Sequence, residues 1–337
     1  VRARYELVRR MRASFCVLGP LLARRGKAVV SLPGGCRIGA RPVDLHLKGL
    51  AALGAELTLA HGYVIARAKR LRGATIDLTG PAGSTVTGTA NVLSAAVLAR
   101  GETVLRGAAR EPEIVDLGRL LCKMGARIDG LGTSTLQVRG VEQLGGARHR
   151  IIPDRIEAAT LALAIAATGG TAEITGADPG HLTAVLDRLA DARIEVVARD
   201  DRIGIAAPRP PRPCGIAAEP YPGVPSDVQA QWIALMTLAS GRSVVSDRVF
   251  PHRFAHVPEL VRMGAQIRLA SGTAIVPGVG HLTGATVTAS DLRASAALVI
   301  AGLAARGKTR IEHTHWLDRG YQNLCGKLKG LGGEFDV

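Results

Sequence analysis

The feature that most constrains the fold of this chain is an internal repeat. Five segments share one plan, in which an Ala- and Leu-rich helical run reaches a glycine and a short alternating run begins. These segments begin at Leu21, Val97, Ala164, Leu235 and Gly302. A repeat that cannot bury its own apolar face must pack against its neighbours. The pattern therefore predicts an array of similar units rather than one continuous sheet.

A second helical pattern follows each of these runs, with apolar residues at three- and four-residue spacing. A glycine follows four of the five helices, at intervals of about 70 residues. The glycines are Gly54, Gly125, Gly264 and Gly332, and Asp191 is assigned to the remaining position. Each unit is predicted to run βαβαββ. Because the opening segment YELVRRMRAS resembles the first helix of a unit, the first copy is expected to be incomplete.

Six units would divide into two domains of three, whereas five do not divide equally. We therefore expect a segment of about one unit to have preceded Val1. The predicted fold class is α/β, with an incomplete N-terminal domain over residues 1–149 and a C-terminal domain over residues 150–337.

Composition limits the possible partners of the 337-residue chain. Hydrophobic residues make up 47% and aromatic residues only 3%, so the cores must be built from Ala, Val, Leu and Ile. No apolar run reaches the roughly 20 residues of a membrane helix, and no signal peptide is evident. We expect no membrane partner and a cytoplasmic location. The formal charge of +15 is spread along the chain without interleaved aromatics, which favours small anions over nucleic acid.

The cysteines and histidines give no sign of a disulfide framework or a metal. Five dispersed cysteines do not suit a framework of paired bridges, and Cys16 and Cys122 lie on apolar helix faces, which predicts core positions. His313 and His315 have the spacing of a strand face, but no third ligand is apparent. No metal and no cofactor are predicted.

One cysteine stands apart, in the segment LPGGCRIGARPVD. Cys36 lies among glycines, with Arg37 and Arg41 close by. Neighbouring cations lower the pKa of a thiol, and glycines allow a loop to close over a substrate. The segment predicts a reactive loop thiol; the alternative is a loop cysteine without a role.

Several long motifs resemble the enolpyruvyl transferase family, and within it the UDP-N-acetylglucosamine 1-carboxyvinyltransferases. They run in order over nearly the whole chain: MRASFCVLGPLLARRGKAVVSLPGGCRIGARPVDLHLKGL, AAREPEIVDLG, PDRIEAAT, PSDVQAQW, RFAHVPELVRMGA, DLRASAALVIAGLAA and DRGYQNL. The resemblance implies two inside-out α/β prisms with the active site in the cleft between them. It also implies transfer of the enolpyruvyl group of phosphoenolpyruvate to the sugar 3-hydroxyl with release of phosphate, which opens peptidoglycan synthesis.

The resemblance also implies residue roles. Cys36 becomes the loop thiol, a general acid or product-handling group that fosfomycin alkylates. Asp227 becomes the general-base candidate, a role that is compatible with the simpler interpretation of this residue as a helix N-cap, and Asp291 takes a role near the tetrahedral adduct. Arginines surround phosphoenolpyruvate in this family: Arg41 and Arg319 at the phosphate, Arg253 and Arg293 at the carboxylate, and Arg12 lining the cleft.

The UDP-sugar side is implied to use two segments. The first is Arg41, Pro42, Val43, Asp44 and Leu45. The second is the loop from Thr79 to Asn91, where Gly83 and Thr85 keep the glycine and threonine of the family but PAGST replaces the usual PSVGAT-like run. The family's GAKNAAL-like motif, with its Lys-Asn pair, does not occur in these 337 residues, which predicts low turnover.

Two alternatives stay open from the sequence. The sister enzyme 5-enolpyruvylshikimate-3-phosphate synthase shares the fold and the arginines, but it lacks the cysteine loop found here as GGCRIGARPVDLH. An inactive homologue that only binds a UDP-sugar is the other. The oligomeric state is not predicted.

Overall fold

The structure is a computed structural model, and it describes residues 1–33, 42–207 and 210–336. The described chain divides into two compact units, with the division between Ile152 and Pro153. Each unit has its own hydrophobic core. The elements alternate between helix and strand, and the strands belong to several separate sheets. The predicted α/β class is confirmed.

The first unit contains helices and strands in the repeated order. Its α-helices are α1 (Tyr5–Val8), α2 (Leu18–Arg25), α3 (Asp44–Ala52), α4 (Val86–Ala96) and α5 (Pro112–Lys123), with a 3-10 helix at Arg12–Val17. Its strands are β1 (Arg2–Ala3), β2 (Lys27–Ser31), β3 (Glu56–Ala60), β4 (Tyr63–Arg67), β5 (Thr75–Asp77), β6 (Thr79–Gly80), β7 (Gly83–Ser84), β8 (Glu102–Arg106), β9 (Arg127–Asp129) and β10 (Thr135–Arg139).

Two four-stranded sheets of the same topology make up most of this unit. Their strand orders are β1-β2-β4-β3 and β5-β8-β10-β9, and in each the first two strands are parallel while the others are antiparallel. Alternate residues face the core, so that Val30 of β2 lies opposite Val64 of β4 and both are fully buried. The pair β6-β7 forms a small separate hairpin.

The second unit continues the pattern. Its α-helices are α6 (Arg155–Thr168), α7 (Thr183–Asp191), α8 (Gln229–Met236), α9 (Val257–Arg262), α10 (Leu292–Ala304) and α11 (Leu324–Gly330). Its 3-10 helices lie at Pro179–His181, Ser226–Val228 and Thr314–Arg319. Its strands are β11 (Thr171–Thr175), β12 (Glu195–Arg199), β13 (Arg202–Ala206), β14 (Ile216–Ala218), β15 (Arg242–Asp247), β16 (Arg268–Ala270), β17 (Thr273–Pro277), β18 (Thr286–Thr288) and β19 (Arg310–Glu312).

Three buried helices form the centre of this second unit. Its sheets have the orders β11-β13-β12, β14-β15-β17-β16 and β18-β19. Helices α6, α8 and α10 pack against one another. They are apolar on nearly every side, rich in Ala, Leu and Ile, which is the composition of a helix enclosed by other elements. Trp232 of α8 is fully buried, and its indole N–H donates to the Cys214 carbonyl at 3.0 Å.

The recurring glycines follow the ends of helices, as the repeat predicted. Gly54, Gly125, Gly264 and Gly332 all have positive φ, between 91° and 104°, a region that residues with a Cβ rarely adopt. In the third of the sequence repeats, the residue with positive φ after the helix is Arg193, with φ of 62°. It is not Asp191, which is the last residue of α7. The sequence assignment of Asp191 was therefore wrong by two residues.

Two further expectations differ from the structure. The opening segment is predicted to start in a helix, but the first repeat begins with the strand β1 (Arg2–Ala3), which pairs in parallel with β2. A two-residue strand is too short to show an alternating pattern of apolar and polar residues in the sequence. His313 and His315 do not share a strand face. His313 follows β19 with φ of 60°, and His315 lies within the 3-10 helix Thr314–Arg319.

Candidate active site

A charged cluster occupies one place in the second unit. Asp227 lies in the 3-10 helix that leads into α8, Arg253 lies between β15 and α9, and Arg293 is in the first turn of α10. One carboxylate oxygen, Asp227 Oδ1, accepts from Arg253 Nη2 at 2.8 Å and from Arg293 Nε at 3.4 Å. Three residues predicted to act together, from separate segments of the chain, are therefore brought together around one oxygen.

The cluster holds its charges in a partly buried setting. Arg253 is 6% exposed and Arg293 9%, while the Asp227 side chain is 46% exposed. Burial acts to raise the pKa of Asp227, but the charges of Arg253 and Arg293, with their hydrogen bonds, hold that pKa well below its usual range. Asp227 is therefore a carboxylate throughout the physiological pH range, and the cluster carries a net positive charge.

Arg293 has a donor to spare. Its Nη1 atom is buried and has no hydrogen-bond partner in the described part of the chain. Its guanidinium carbon lies 5.3 Å from the centre of the Tyr321 ring, a cation–π contact. The Tyr321 hydroxyl is in turn 3.0 Å from Thr160 Oγ1 and accepts from Gln231 Nε2 at 3.3 Å. A buried guanidinium held in this way, with the N–H groups of Nη1 unused, is suited to binding an anionic group.

Asp291 acts in the described structure as the N-cap of α10. Its Oδ1 accepts from the amides of Arg293 at 2.9 Å and Ala294 at 3.3 Å, which fixes the turn that carries the Arg293 side chain. Its neighbour His256 is 2% exposed, and burial lowers the pKa of His256 to about 4, with Asp291 raising it and Arg253 lowering it further. His256 is therefore a neutral group in the wall of the cluster.

Arg319 lies apart from these contacts. It ends the 3-10 helix Thr314–Arg319, it is exposed, and its guanidinium carbon is 5.1 Å from the Trp316 ring centre. Within residues 1–33, 42–207 and 210–336, no hydrogen bond or ion pair joins Arg319 to Asp227. An exposed arginine that stacks on an aromatic ring keeps its donors available to a ligand.

The first unit has a polar cluster of a different kind. Asn91 of α4 is fully buried and makes three hydrogen bonds, accepting from the Gly19 amide and donating to the Phe15 carbonyl at 3.2 Å and to His46 Nδ1 at 3.0 Å. His46 Nε2 is 3.2 Å from Thr87 Oγ1. Burial lowers the pKa of His46 to about 4, helped by the charge of Arg12 and opposed by Asp44. The cluster is uncharged near neutral pH.

Arg12, expected to line the cleft, and several residues expected on the UDP-sugar side lie near this neutral cluster. Arg12 Nη2 donates to the Pro42 carbonyl at 3.1 Å. Val43 precedes α3 at the N-cap position without a side-chain hydrogen bond, and Asp44 and Leu45 are the first residues of the helix. A Cβ added at Gly80, in the β6-β7 hairpin, would meet Leu45 Cδ1 at 3.0 Å, so the hairpin and the start of α3 are adjacent.

The segment from Thr79 to Asn91, expected from the sequence to be a loop, is instead the β6-β7 hairpin followed directly by the start of α4. Gly83 has φ of 93°, and Thr85 caps α4 by accepting from the Gly88 amide at 3.2 Å. The Thr85 hydroxyl proton is left for another acceptor. The first turn of α4 therefore places backbone amides and a hydroxyl in the segment where a diphosphate was expected.

The four cysteines in the described residues are all half-buried free thiols. Cys36 and Arg41 lie outside the described residues. Cys16 and Cys122 are half-buried, so the prediction of full core positions was wrong. Burial raises the pKa of Cys16 to about 11, partly offset by Arg12, and its thiol is 3.6 Å from the Thr87 carbonyl oxygen. Burial also raises the pKa values of Cys214 and Cys325.

Sequence reasoning missed two polar residues beside the charged cluster. Ser226 donates to Asp247 Oδ2 at 2.5 Å and accepts from Arg253 Nη1 at 3.2 Å. The available signal was the inward alternation of β15, in which Ser243, Val245 and Asp247 are buried in turn. An aspartate in an inward position of a strand needs polar partners.

No helix in residues 1–33, 42–207 or 210–336 has both the length and the apolar character to cross a membrane. Within the same residues, no group of three or more His, Cys, Asp or Glu side chains is placed to hold a metal ion.

Comparison with known proteins places these clusters in context. The family described as EPSP synthase (3-phosphoshikimate 1-carboxyvinyltransferase) matches residues 1–328. The UDP-N-acetylglucosamine 1-carboxyvinyltransferase of Geotalea uraniireducens is 54% identical over 98% of this chain and 79% of its own length. The enzyme of that name from Geobacter metallireducens is 54% identical over 99% of this chain and 79% of its own.

Solved structures give the same grouping. The enolpyruvyl transferase NikO from Streptomyces tendae superposes with a TM-score of 0.85, at 28% identity, and covers 99% of this chain and 79% of that one. EPSP synthase from Acinetobacter baumannii gives a TM-score of 0.70 at 19% identity over 95% of this chain and 77% of that chain, a likeness of fold.

Proposed function

Because this chain belongs to the EPSP synthase family of enolpyruvyl (1-carboxyvinyl) transferases, we propose that it transfers the enolpyruvyl group of phosphoenolpyruvate to the 3-hydroxyl of UDP-N-acetylglucosamine, with release of phosphate. Relatives that are 53–54% identical carry that enzyme's name. The GGCRIGARPVDLH segment favours the UDP-sugar over shikimate 3-phosphate as acceptor. The product is a precursor of peptidoglycan.

The observation that carries the proposal is the charged cluster of the second unit. Phosphoenolpyruvate presents a carboxylate and a phosphate, and both are bound well by planar guanidinium groups. Arg293 offers a buried donor without a partner, and Arg253 is held beside it by Asp227. We infer that the substrate carboxylate is bound by these two arginines and that its phosphate is bound by Arg41 and Arg319.

The chemistry assigned to Asp227 follows from its environment. In the first step the sugar 3-hydroxyl adds to C2 of phosphoenolpyruvate, its proton goes to a base, and a proton is added at C3. Asp227 is a weak base while two guanidinium groups contact it. When an anion binds to those arginines, part of their charge is neutralised and the carboxylate becomes more basic. Asp227 is thus suited to accept the hydroxyl proton once both substrates are bound.

The second step removes a proton from C3 and expels phosphate, which restores the double bond in the product. Arginines around the phosphate stabilise the leaving dianion. We assign Cys36 to proton transfer or product handling, and Asp291 to fixing the α10 turn beside the adduct. Pro42, Val43, Asp44, Leu45, Gly83 and Thr85 are assigned to the uridine and diphosphate, and Arg12 to the lining of the substrate cleft. The dispersed free thiols, Cys16, Cys122, Cys214 and Cys325, suit a reducing cytoplasm.

The test is phosphate release by the 337-residue chain with phosphoenolpyruvate and either acceptor. We expect release with UDP-N-acetylglucosamine and none with shikimate 3-phosphate, and loss of release in Asp227→Asn. Asp178→Asn, a second carboxylate in the same unit that accepts a backbone amide, is the matched control and should retain activity. Calorimetric binding of UDP-N-acetylglucosamine without any release would instead identify an inactive binding homologue. Release with shikimate 3-phosphate, or neither binding nor release, would overturn the proposal.

A further inference from the structure

Behind the charged cluster lies a carboxylate that the reaction itself does not use. Asp247 is the last residue of β15 and is 3% exposed. It makes no direct contact with Asp227, Arg253 or Arg293 among the hydrogen bonds and ion pairs of the described residues. A buried carboxylate needs several donors to offset its lost hydration. The groups that donate to Asp247 therefore identify the residues whose positions it fixes.

The first route from Asp247 passes through a hydroxyl. Ser226 donates its only hydroxyl proton to Asp247 Oδ2, so that its lone pairs face away from the carboxylate. Those lone pairs accept from Arg253 Nη1 at 3.2 Å, while Nη2 of the same guanidinium donates to Asp227 Oδ1 at 2.8 Å. Because the guanidinium is planar, bonds at both terminal nitrogens fix its plane and its position.

The second route passes through the turn after β15. Asp247 Oδ1 accepts from the amides of Val249 at 2.9 Å and Phe250 at 2.7 Å. The Phe250 carbonyl then accepts from the Arg253 amide at 3.0 Å, and the Phe250 ring centre lies 5.9 Å from the Arg253 guanidinium carbon. One carboxylate therefore sets both the backbone that carries Arg253 and the direction in which its side chain points.

We propose that Asp247 is the residue that positions Arg253 for the reaction, acting through Ser226 and through the turn after β15. This inference rests on the proposed function for its kinetic consequence, because Arg253 is assigned there to the substrate carboxylate. The part of the inference that concerns the position of the Arg253 side chain does not depend on turnover. The direction of the hydrogen bonds matters: an amide in place of the carboxylate would present a donor to the Ser226 hydroxyl, which would then have two donors and no acceptor beside it.

The test compares two changes that break the first route with two that leave it intact. Asp247→Asn reverses one hydrogen bond, and Ser226→Ala removes the hydroxyl but keeps the bonds from Asp247 to the turn. Ser226→Thr retains the hydroxyl, and Asp178→Asn, whose carboxylate accepts the Gly180 amide at 2.9 Å, is the matched control elsewhere in the unit. Thermal unfolding of each variant shows whether the fold as a whole has been weakened.

The first readout is independent of activity. Phenylglyoxal modifies accessible, mobile arginines, and peptide mapping by mass spectrometry follows each arginine separately. We expect Arg253 to be modified at least about fivefold faster in Asp247→Asn and Ser226→Ala than in the unchanged chain, because local opening becomes easier. Arg253 should keep its slow rate in Ser226→Thr and Asp178→Asn. The exposed Arg319 is the internal standard and should not change.

The second readout is kinetic. Asp247→Asn and Ser226→Ala should raise the KM for phosphoenolpyruvate about tenfold, as expected for a misplaced charged contact, and leave the KM for UDP-N-acetylglucosamine within about twofold. Ser226→Thr should restore the lower value. Should the unchanged chain show no turnover, the proposed function fails, and the modification rates still decide the inference. Arg253 rates in Asp247→Asn and Ser226→Ala equal to that of the unchanged chain would overturn it, as would a Ser226→Thr variant as impaired as Ser226→Ala.

Discussion

The two units bury polar groups in their interiors in opposite ways. In the first, Asn91, His46 and Thr87 form a neutral set in which all three hydrogen bonds of the Asn91 side chain lie within the unit. In the second, Asp227, Arg253 and Arg293 form a charged set that leaves the buried Arg293 Nη1 without a partner in the described chain. A satisfied neutral set holds helices together, whereas an unsatisfied charged set is prepared for a ligand.

The electrostatics sharpen this contrast. Arg12 stands near the neutral set, and its charge adds to burial in keeping His46 unprotonated. In the charged set the arginines instead keep Asp227 ionised. The same type of residue therefore suppresses a charge in one unit and maintains one in the other. The comparison predicts that changes in the charged set affect catalysis first and that changes in the neutral set affect stability first.

The largest effect is expected at Arg293. Arg293→Ala should lower kcat/KM for phosphoenolpyruvate by about a hundredfold or more, because at least one charged hydrogen bond and the balance of charge around Asp227 are lost. Arg293→Lys is the matched variant: it retains the charge but not the planar fork, and should recover only part of the loss. Steady-state phosphate release measures both. If Arg293→Ala retained a kcat/KM within a few-fold of the unchanged chain, the spare donor would have no part in binding.

At Asn91 we expect a substitution to lower the free energy of unfolding by an amount comparable to the loss of transition-state stabilisation in Arg293→Ala. Asn91→Leu has a similar shape and removes the partner of the buried Gly19 amide and of His46 Nδ1, while the Phe15 carbonyl still accepts from the Leu18 amide. Each such group costs about 1–3 kcal/mol, so we expect the free energy of unfolding to fall by about 3 kcal/mol. Urea denaturation followed by circular dichroism measures it, with Ser94→Ala on the same helix as the control. A loss below about 1 kcal/mol would contradict the view that this neutral set holds the unit together.

The parts of the fold that the sequence could predict are those set by local backbone needs. A residue with left-handed backbone conformation is required after these helices, and glycine adopts that conformation without steric strain in any sequence context. The glycines in the sequence therefore mark the helix ends, at Gly54, Gly125, Gly264 and Gly332. Arg193 meets the same need with a side chain, at a cost in strain, and no local pattern distinguishes it from an ordinary arginine.

The site could be predicted only in part, for a related reason. Asp227, Arg253 and Arg293 were found through motifs, and they converge although 26 and 66 residues separate the arginines from the aspartate. Ser226 and Asp247 were missed because their importance lies in the direction of hydrogen bonds between separate segments. Such directions depend on packing, which neither hydrophobic periodicity nor residue spacing encodes.

Acid should weaken the neutral set by a smaller amount. Burial lowers the pKa of His46 to about 4 in the folded chain, against about 6.5 unfolded. Between these values the unfolded state binds more protons, so stability present above pH 6.5 is lost as the pH falls towards 4. From pH 7.5 to pH 5 we expect His46 to contribute a loss of about 2 kcal/mol.

His46→Gln should remove that part of the pH dependence. His256, whose pKa burial also lowers to about 4, has a dependence of the same sign and remains as the internal control. Asp227 does not contribute in this range, since its depressed pKa places its loss of stability at lower pH. Urea unfolding at both pH values provides the measurement. A His46→Gln variant with the full pH dependence of the unchanged chain would show that His46 is already free to take up a proton in the folded state.

The smallest effect is expected at the helix caps, where the two units can be compared directly. Thr85 caps α4 with one hydrogen bond from a neutral hydroxyl, whereas Asp291 caps α10 with two and a negative charge. Thr85→Ala should lower the free energy of unfolding by about 1 kcal/mol, and Asp291→Ala by more, because a charge at a helix N-terminus adds to the cap.

Thr85→Ala should also raise the KM for UDP-N-acetylglucosamine about threefold, the loss of one neutral hydrogen bond. The Thr85 oxygen is already used as an acceptor from the Gly88 amide, so its remaining contribution is a hydroxyl proton that can be donated to a diphosphate oxygen. Thr85→Ser keeps that proton and should restore both stability and KM. A Thr85→Ala variant with lower stability and an unchanged KM would make Thr85 a cap alone. The diphosphate would then have to be bound in this segment by backbone amides, and the first unit would contribute to the substrate through its backbone where the second contributes through charged side chains.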